Sequence, residues 1–192
     1  DKNFVPQAED YTLADQWILS RYAKTVQAVT DNLENFELGE AGRTIYEFIW
    51  NEFCDWYIEM VKPRLYNEED TTKAAALFTL KKVLTISLKL LHPYMPFITE
   101  EIFCSLQDEE ESIMVSEWPV FEEEFDFKAE ENEVEMIKNA VRNIRNLRAD
   151  MNVPPSKKAS VYVVSEKEEV RRVFEDSKVF FATLGYASEV HV

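Results

Sequence analysis

Glycine is scarce in this chain: three in 192 residues, Gly39, Gly42 and Gly185. A glycine-rich phosphate loop or a dinucleotide fingerprint needs two or three of them closely spaced, so neither is present. The same poverty disfavours a turn-rich all-β fold. Cysteine is rarer still. Cys54 and Cys104 form no Cys-x-x-Cys pair, and His92 and His191 stand alone. A structural zinc site therefore has too few clustered ligands. Both thiols lie in apolar helical contexts and read as core residues in a reducing cytosol. No apolar run approaches the ~20 residues that span a bilayer, and no signal peptide opens the chain. Asp1 in place of an initiator methionine reads as a fragment or a processed product. Basic residues are in deficit, 21 against 37 acidic, for a net charge of −16. That total argues against a generally basic nucleic-acid module or a binder of anionic membranes. Catalytic sets are missing as well. No serine or cysteine has a plausible His/Asp partner set, which leaves a free-standing hydrolase or transferase without support. His92, before a proline, reads as a helix C-terminal cap.

What is present is a helical pattern with ample apolar content, 46% of residues with 13% aromatic. Leu13 to Phe36 carries Ile18, Tyr22, Val26, Val29, Leu33 and Phe36 on one helical face, capped by Thr12 or Asp10. Glu37 to Gly42 reads as a connection. Arg43 to Lys62 carries two apolar stripes: Ile45, Ile49, Phe53, Trp56 and Met60, then Tyr46, Trp50, Cys54, Tyr57 and Val61. Such a helix is central to a bundle or presents an exposed aromatic face. Pro63 predicts its end. A third helix spans Thr71 to Leu91 with Leu77, Leu80, Leu84, Leu88 and Leu91 inward, and a fourth starts at Pro96. Ser112 to Pro119 is extended, laying Trp118 across the bundle. A fifth helix runs from Lys128 to Asp150, with Val134, Ile137, Val141, Ile144 and Met151 on its apolar face. Beyond Pro154-Pro155 the pattern changes to strand (Ser160–Val164), two short helices with a stop at Gly185, and strand (Ser188–Val192). The predicted fold is mainly α: an antiparallel helical bundle over residues 1–153 and a small α/β appendage over 154–192.

The acidity is local. Residues 100–135 hold 15 acidic groups and one basic, whereas residues 136–160 hold six basic and one acidic. In the latter, Lys138, Arg142, Arg145 and Arg148 share one helical face with Asn139, Asn143 and Asn146 nearby. Arginine forks beside amides suit phosphates and base edges; a solvated face paired with the preceding acidic block is the alternative. Aromatic rings near Asn51, Asp55 or Lys62 suit stacking and edge reading of loop bases, although aromatic stripes at helical spacing are more often core. A bundle whose acidic block and aromatic face bind another polypeptide is the competing reading.

The strings ADQWILSR (Ala14–Arg21), FELGEAGRTIYEFIWNEFCDWYIEM (Phe36–Met60), LLHPYMPFITEEIF (Leu90–Phe103), SIMVSEWP (Ser112–Pro119) and VRNIRNLRADMNVPPSK (Val141–Lys157) closely resemble the C-terminal anticodon-binding region of bacterial valyl-tRNA synthetases. The resemblance implies a class Ia helical bundle that holds the anticodon stem-loop of the tRNA for valine. It implies a parent enzyme, a cytoplasmic ligase using ATP and magnesium to attach valine. That parent's catalytic domain, a second partner, carries His-Ile-Gly-His and Lys-Met-Ser-Lys-Ser signatures, and neither occurs here, nor does the editing insertion. No catalysis and no cofactor are therefore expected of the chain alone. It is expected to be monomeric, to bind no membrane and to bind tRNA weakly, since the family has a further helix upstream of Asp1 and a coiled-coil arm past Val192. By resemblance the second half of the aromatic helix lies nearest the anticodon, which points to Arg43, Asn51, Phe53, Cys54 and Asp55. Arg142, Arg145 and Arg148 are the expected phosphate contacts or docking residues.

Overall fold

The computed structural model describes residues 4–107 and 109–192; Asp1 and Asp108, both counted above, lie outside the described residues. The chain forms two compact units, Asp1–Lys128 and Ala129–Val192. Compactness groups the long helix after Lys128 with the second unit, whereas the expected boundary at residue 153 groups it with the bundle.

The first unit is a helical bundle. Helix α1 (Leu13–Glu34) begins at Thr12, whose backbone N–H donates to the Asp15 carboxylate at 2.9 Å, half of a capping box. It packs along α2 (Leu38–Glu47), along the stretch Phe48–Ile58 and along α4 (Lys73–Leu91). Ile18, Tyr22, Val26 and Val29 are buried as expected. Phe36 is not. The helix ends at Asn35, and Phe36 takes φ 61° while its N–H bonds Leu33 O and that of Glu37 bonds Asn32 O. These two bonds are the Schellman closure that satisfies orphan carbonyls, and they turn the Phe36 ring out to solvent.

The expected connection at Glu37–Gly42 is itself helical. Gly42 lies inside α2 beside Tyr94, whose Oη donates to Leu38 O at 2.6 Å. From Phe48 to Ile58 the winding is π-helical, then α3 (Glu59–Tyr66) follows with Pro63 inside it. The prediction that Pro63 ends the helix is thus corrected. The last turn is fastened from outside by Arg64, which donates to Thr72 Oγ1, Thr72 O and Asp15.

Helix α4 buries Leu88 of the expected leucine face and packs Leu84 against the same cluster, and it buries a second face beside it. Ala76, Thr79, Val83, Ser87 and Leu90 are buried, while Leu77 is exposed. His92 caps α4, its N–H bonding Leu88 O and its Nδ1 lying 2.7 Å from Thr99 Oγ1 at the start of α5 (Pro96–Leu106). Ile113, in a short 3-10 turn, is buried with Leu88 and Phe103. Trp118 Nε1 donates to Thr30 of α1 at 2.9 Å.

In the second unit, α6 (Lys128–Asp150) ends in another Schellman closure, Asn152 at φ 54° with Val153 N–H bonding Arg148 O. Met151 is exposed rather than part of the apolar face, because that closure has already left the helix. Strands β1 (Ala159–Tyr162) and β2 (Ala187–His191) pair in parallel, Ala159 opposite Ala187 and Tyr162 opposite His191. Helices α7 (Glu168–Asp176) and α8 (Lys178–Leu184) cross between them, burying Val173, Phe174, Phe181 and Leu184. Gly185 is required by space: a Cβ there would lie 2.9 Å from Phe181 O. The chain is mainly α with a small α/β piece, as the sequence predicts.

Candidate nucleic-acid interface

The α2–π stretch divides its aromatic side chains between core and solvent. Phe48, Phe53, Trp56 and Tyr57 are buried, and Phe53 stacks on Tyr57 with centroids 6.1 Å apart. At 4% exposure Phe53 offers no ring face to a ligand. Tyr46 and Trp50 are the outward rings, 62% and 56% exposed. The stripe that contains them, read at α periodicity, changes sides: exposed at Tyr46 and Trp50, buried at Tyr57 and Val61. The π winding is the reason. Its hydrogen bonds reach five residues instead of four, so a stripe drawn for an α-helix drifts around the axis.

Polar groups border these rings. Asn51 and Asp55 are exposed and, with Trp50, lie on the solvent side of the π-wound stretch. Arg43 is exposed and held between two carboxylates, Glu40 at 2.6 Å and Glu47 at 2.7 Å. Cys54 is half-buried; burial, and then the Asp55 charge, push its thiol up from the ordinary range. That direction disfavours the thiolate, the reactive form.

The three arginines of α6 belong to the other compact unit, and their guanidinium groups are engaged. Arg142 donates to Glu135 and Asn139, each at 3.0 Å. Arg145 donates to Leu184 O at 2.8 Å, and Arg148 to Pro154 O at 2.8 Å and to Lys157 O. Both lie over the Tyr186 ring, at 6.0 and 5.5 Å. Lys138 is buried and paired with Glu135 at 3.0 Å. Burial of Glu135 opposes its ionisation, but the ammonium and guanidinium beside it hold the carboxyl below the usual range. The basic face thus knits α6 to its own acidic first half and to the α/β piece.

Of the residues singled out from the sequence, Arg43, Asn51, Cys54 and Asp55 share the α2–π stretch with accessible surface, and Phe53 is core. Tyr46 and Trp50 were absent from that set. Their signal was the second stripe itself, whose exposure only the winding decides.

Fold and surface together define a mainly helical, acidic chain that presents aromatic and polar side chains along its α2–π stretch. Residues 15–163 match the anticodon-binding domain of tRNA ligase, and the chain belongs to that family. It is 52% identical to the valine–tRNA ligase of Clostridium acetobutylicum over 95% of the chain and 20% of that protein. Against the valine–tRNA ligase of Clostridium tetani it is 47% identical over 99% of the chain and 22% of that protein. Against that of Thermotoga maritima the figures are 44%, 95% and 20%. The chain spans about one-fifth of the length of these relatives.

Proposed function

We propose that this chain holds the anticodon stem-loop of the tRNA for valine, within a longer valine–tRNA ligase that works in the cytoplasm. The observation that carries the reading is membership of the anticodon-binding family across residues 15–163, at about half identity to valine–tRNA ligases. The surface is compatible with it. Two outward rings and two outward polar side chains supply stacking and edge contacts for unpaired bases. Activation of valine, with its ATP and magnesium, belongs in this reading to the rest of the longer protein.

The test is a fluorescence anisotropy titration of a labelled stem-loop carrying a valine anticodon, in ~50 mM salt because phosphate contacts weaken steeply with salt. The same stem with a scrambled loop is the control. The expected result is tighter binding of the valine loop. Equal affinity for both loops, or no binding of either, overturns base reading by this chain.

A further inference from the structure

We propose that His92 and Met114 form a proton-operated latch between the α4–α5 corner and the turn that carries Ile113, fastened when the imidazole is protonated and released when it is neutral.

The tautomer follows from the protons available. Thr99 Oγ1 has one proton and two backbone carbonyls beside it, Met95 O at 2.8 Å and Pro96 O at 3.2 Å. A carbonyl only accepts, so the hydroxyl proton is committed to these two. The 2.7 Å contact between His92 Nδ1 and Thr99 Oγ1 is then a bond in which Nδ1–H donates. Thr99 has no exposed surface, so water does not compete for its oxygen. A neutral imidazole has one N–H. Here Nδ1 holds it, and Nε2 is left with a bare lone pair.

That lone pair faces sulfur. Nε2 lies 2.9 Å from Met114 Sδ, and a thioether has no proton to give. Two lone-pair bearers at that distance repel. The imidazolium carries a proton on each nitrogen, so it alone makes both contacts. The observed geometry is that of the fastened form.

The surrounding charge favours the same form. Glu100 of α5 is the charged group that interacts with His92: a Ser112 hydrogen bond, and in smaller part the His92 charge, hold its carboxyl below the usual range. Its Oε2 also accepts from Ile113 N–H at 3.0 Å. Lys89, one turn back on α4, is directed instead to Glu117 O, to Glu110 and over the Phe103 ring. The turn itself, Ile113–Val115, brings the sulfur and no charge. Ile113 anchors that turn in the core with Leu88 and Phe103. Met114 is mostly exposed, so the imidazole contact, not burial, fixes where its side chain rests.

The experiment is NMR of the full chain with labelled histidine nitrogens and methionine methyls, from about pH 5 to 8, the interval in which imidazoles change charge. At the alkaline end His92 is expected to carry its proton on Nδ1. The Met114 methyl resonance should move in step with the His92 nitrogens. The Val115 and Ser116 amides close the turn on Ser112 O and Ile113 O. Relative to an open chain they should exchange about threefold more slowly in the protonated form, the scale of a weak hydrogen bond. In His92→Asn the amide N–H can still donate to Thr99, and both pH responses should vanish. Met114→Leu should keep the Nδ1–H tautomer and lose the pH dependence of amide exchange. Its position is exposed, so it decides the matter even where His92→Asn fails to fold. A neutral His92 protonated on Nε2 overturns the tautomer and the latch with it. A Met114 methyl that ignores His92 overturns the latch, as does amide exchange in Met114→Leu with the pH dependence of the wild type.

Discussion

Asp15 has no exposed surface, yet it is a carboxylate surrounded by donors. Tyr57 Oη donates to it at 2.7 Å, Arg64 Nη1 at 2.9 Å, and the Thr12 N–H at 2.9 Å. Burial, followed by the Asp15 charge, raises the Tyr57 phenol well above its ordinary range, so it stays protonated and donating. The group ties the start of α1 to the π-wound stretch and to the end of α3. Asp15→Ala leaves the largely buried Arg64 without its counter-charge. Removal of one partner of a buried pair costs about 3–5 kcal/mol, and a urea unfolding curve of the first unit should show a loss of that size. A loss under ~1 kcal/mol would mean that Arg64 finds another anion or water. Only the local part of this cluster was readable in advance. Thr12 announces a cap, but Tyr57 and Arg64 lie 42 and 49 residues away in the chain, and no short-range pattern links them.

At the scale of elements, α6 is the instructive case. Its spacing of basic residues is real, and spacing alone suits phosphates. The chain's own carbonyls take those donors first: Leu184 O for Arg145, Pro154 O and Lys157 O for Arg148. Arg148→Ala should therefore destabilise the second unit by about 1.5–3 kcal/mol, the worth of a charged hydrogen bond, seen as an earlier thermal transition. A variant that melts like the wild type but loses RNA affinity would instead restore the phosphate role. The aromatic helix teaches the complementary lesson. Its apolar excess left open a central helix or an exposed aromatic face, and the structure has both. Which rings did which was not legible, because a change from α to π winding alters the face on which each residue falls. Likewise Pro63 lies inside a helix whose last turn Arg64 ties to Asp15 of α1 and to Thr72 before α4, partners distant from it in the chain.

Over the whole molecule, the charge of −16 resolves into particular carboxyls with particular partners. In the first unit, a hydrogen bond from Ser112 holds Glu100 below the usual range, and one from Thr72 does the same for Asp70. In the second unit Glu135 is held down against its own burial. A carboxyl depressed by folding contributes stability above its unfolded pKa and loses that contribution as pH falls through its folded value. The contribution of these carboxyls to each unit should thus be full above about pH 5 and be lost progressively below about pH 4. Ser112→Ala should bring the Glu100 titration, followed by NMR, up toward the ordinary range. A Glu100 that titrates unchanged in that variant would assign its shift to another group.

The sequence by itself determined the mainly α class, most helix boundaries, the strand–helix–helix–strand order of the α/β piece, and the family. These depend on residue spacing, prolines and local strings, all of which act over a few turns. Tertiary structure alone decided which aromatics face solvent, that Phe53 is core, that the small face of α4 turns inward, and that the α6 arginines are engaged. Each of those outcomes depends on close packing and on competition for hydrogen-bond donors among residues far apart in the chain, and neither is encoded in any short window.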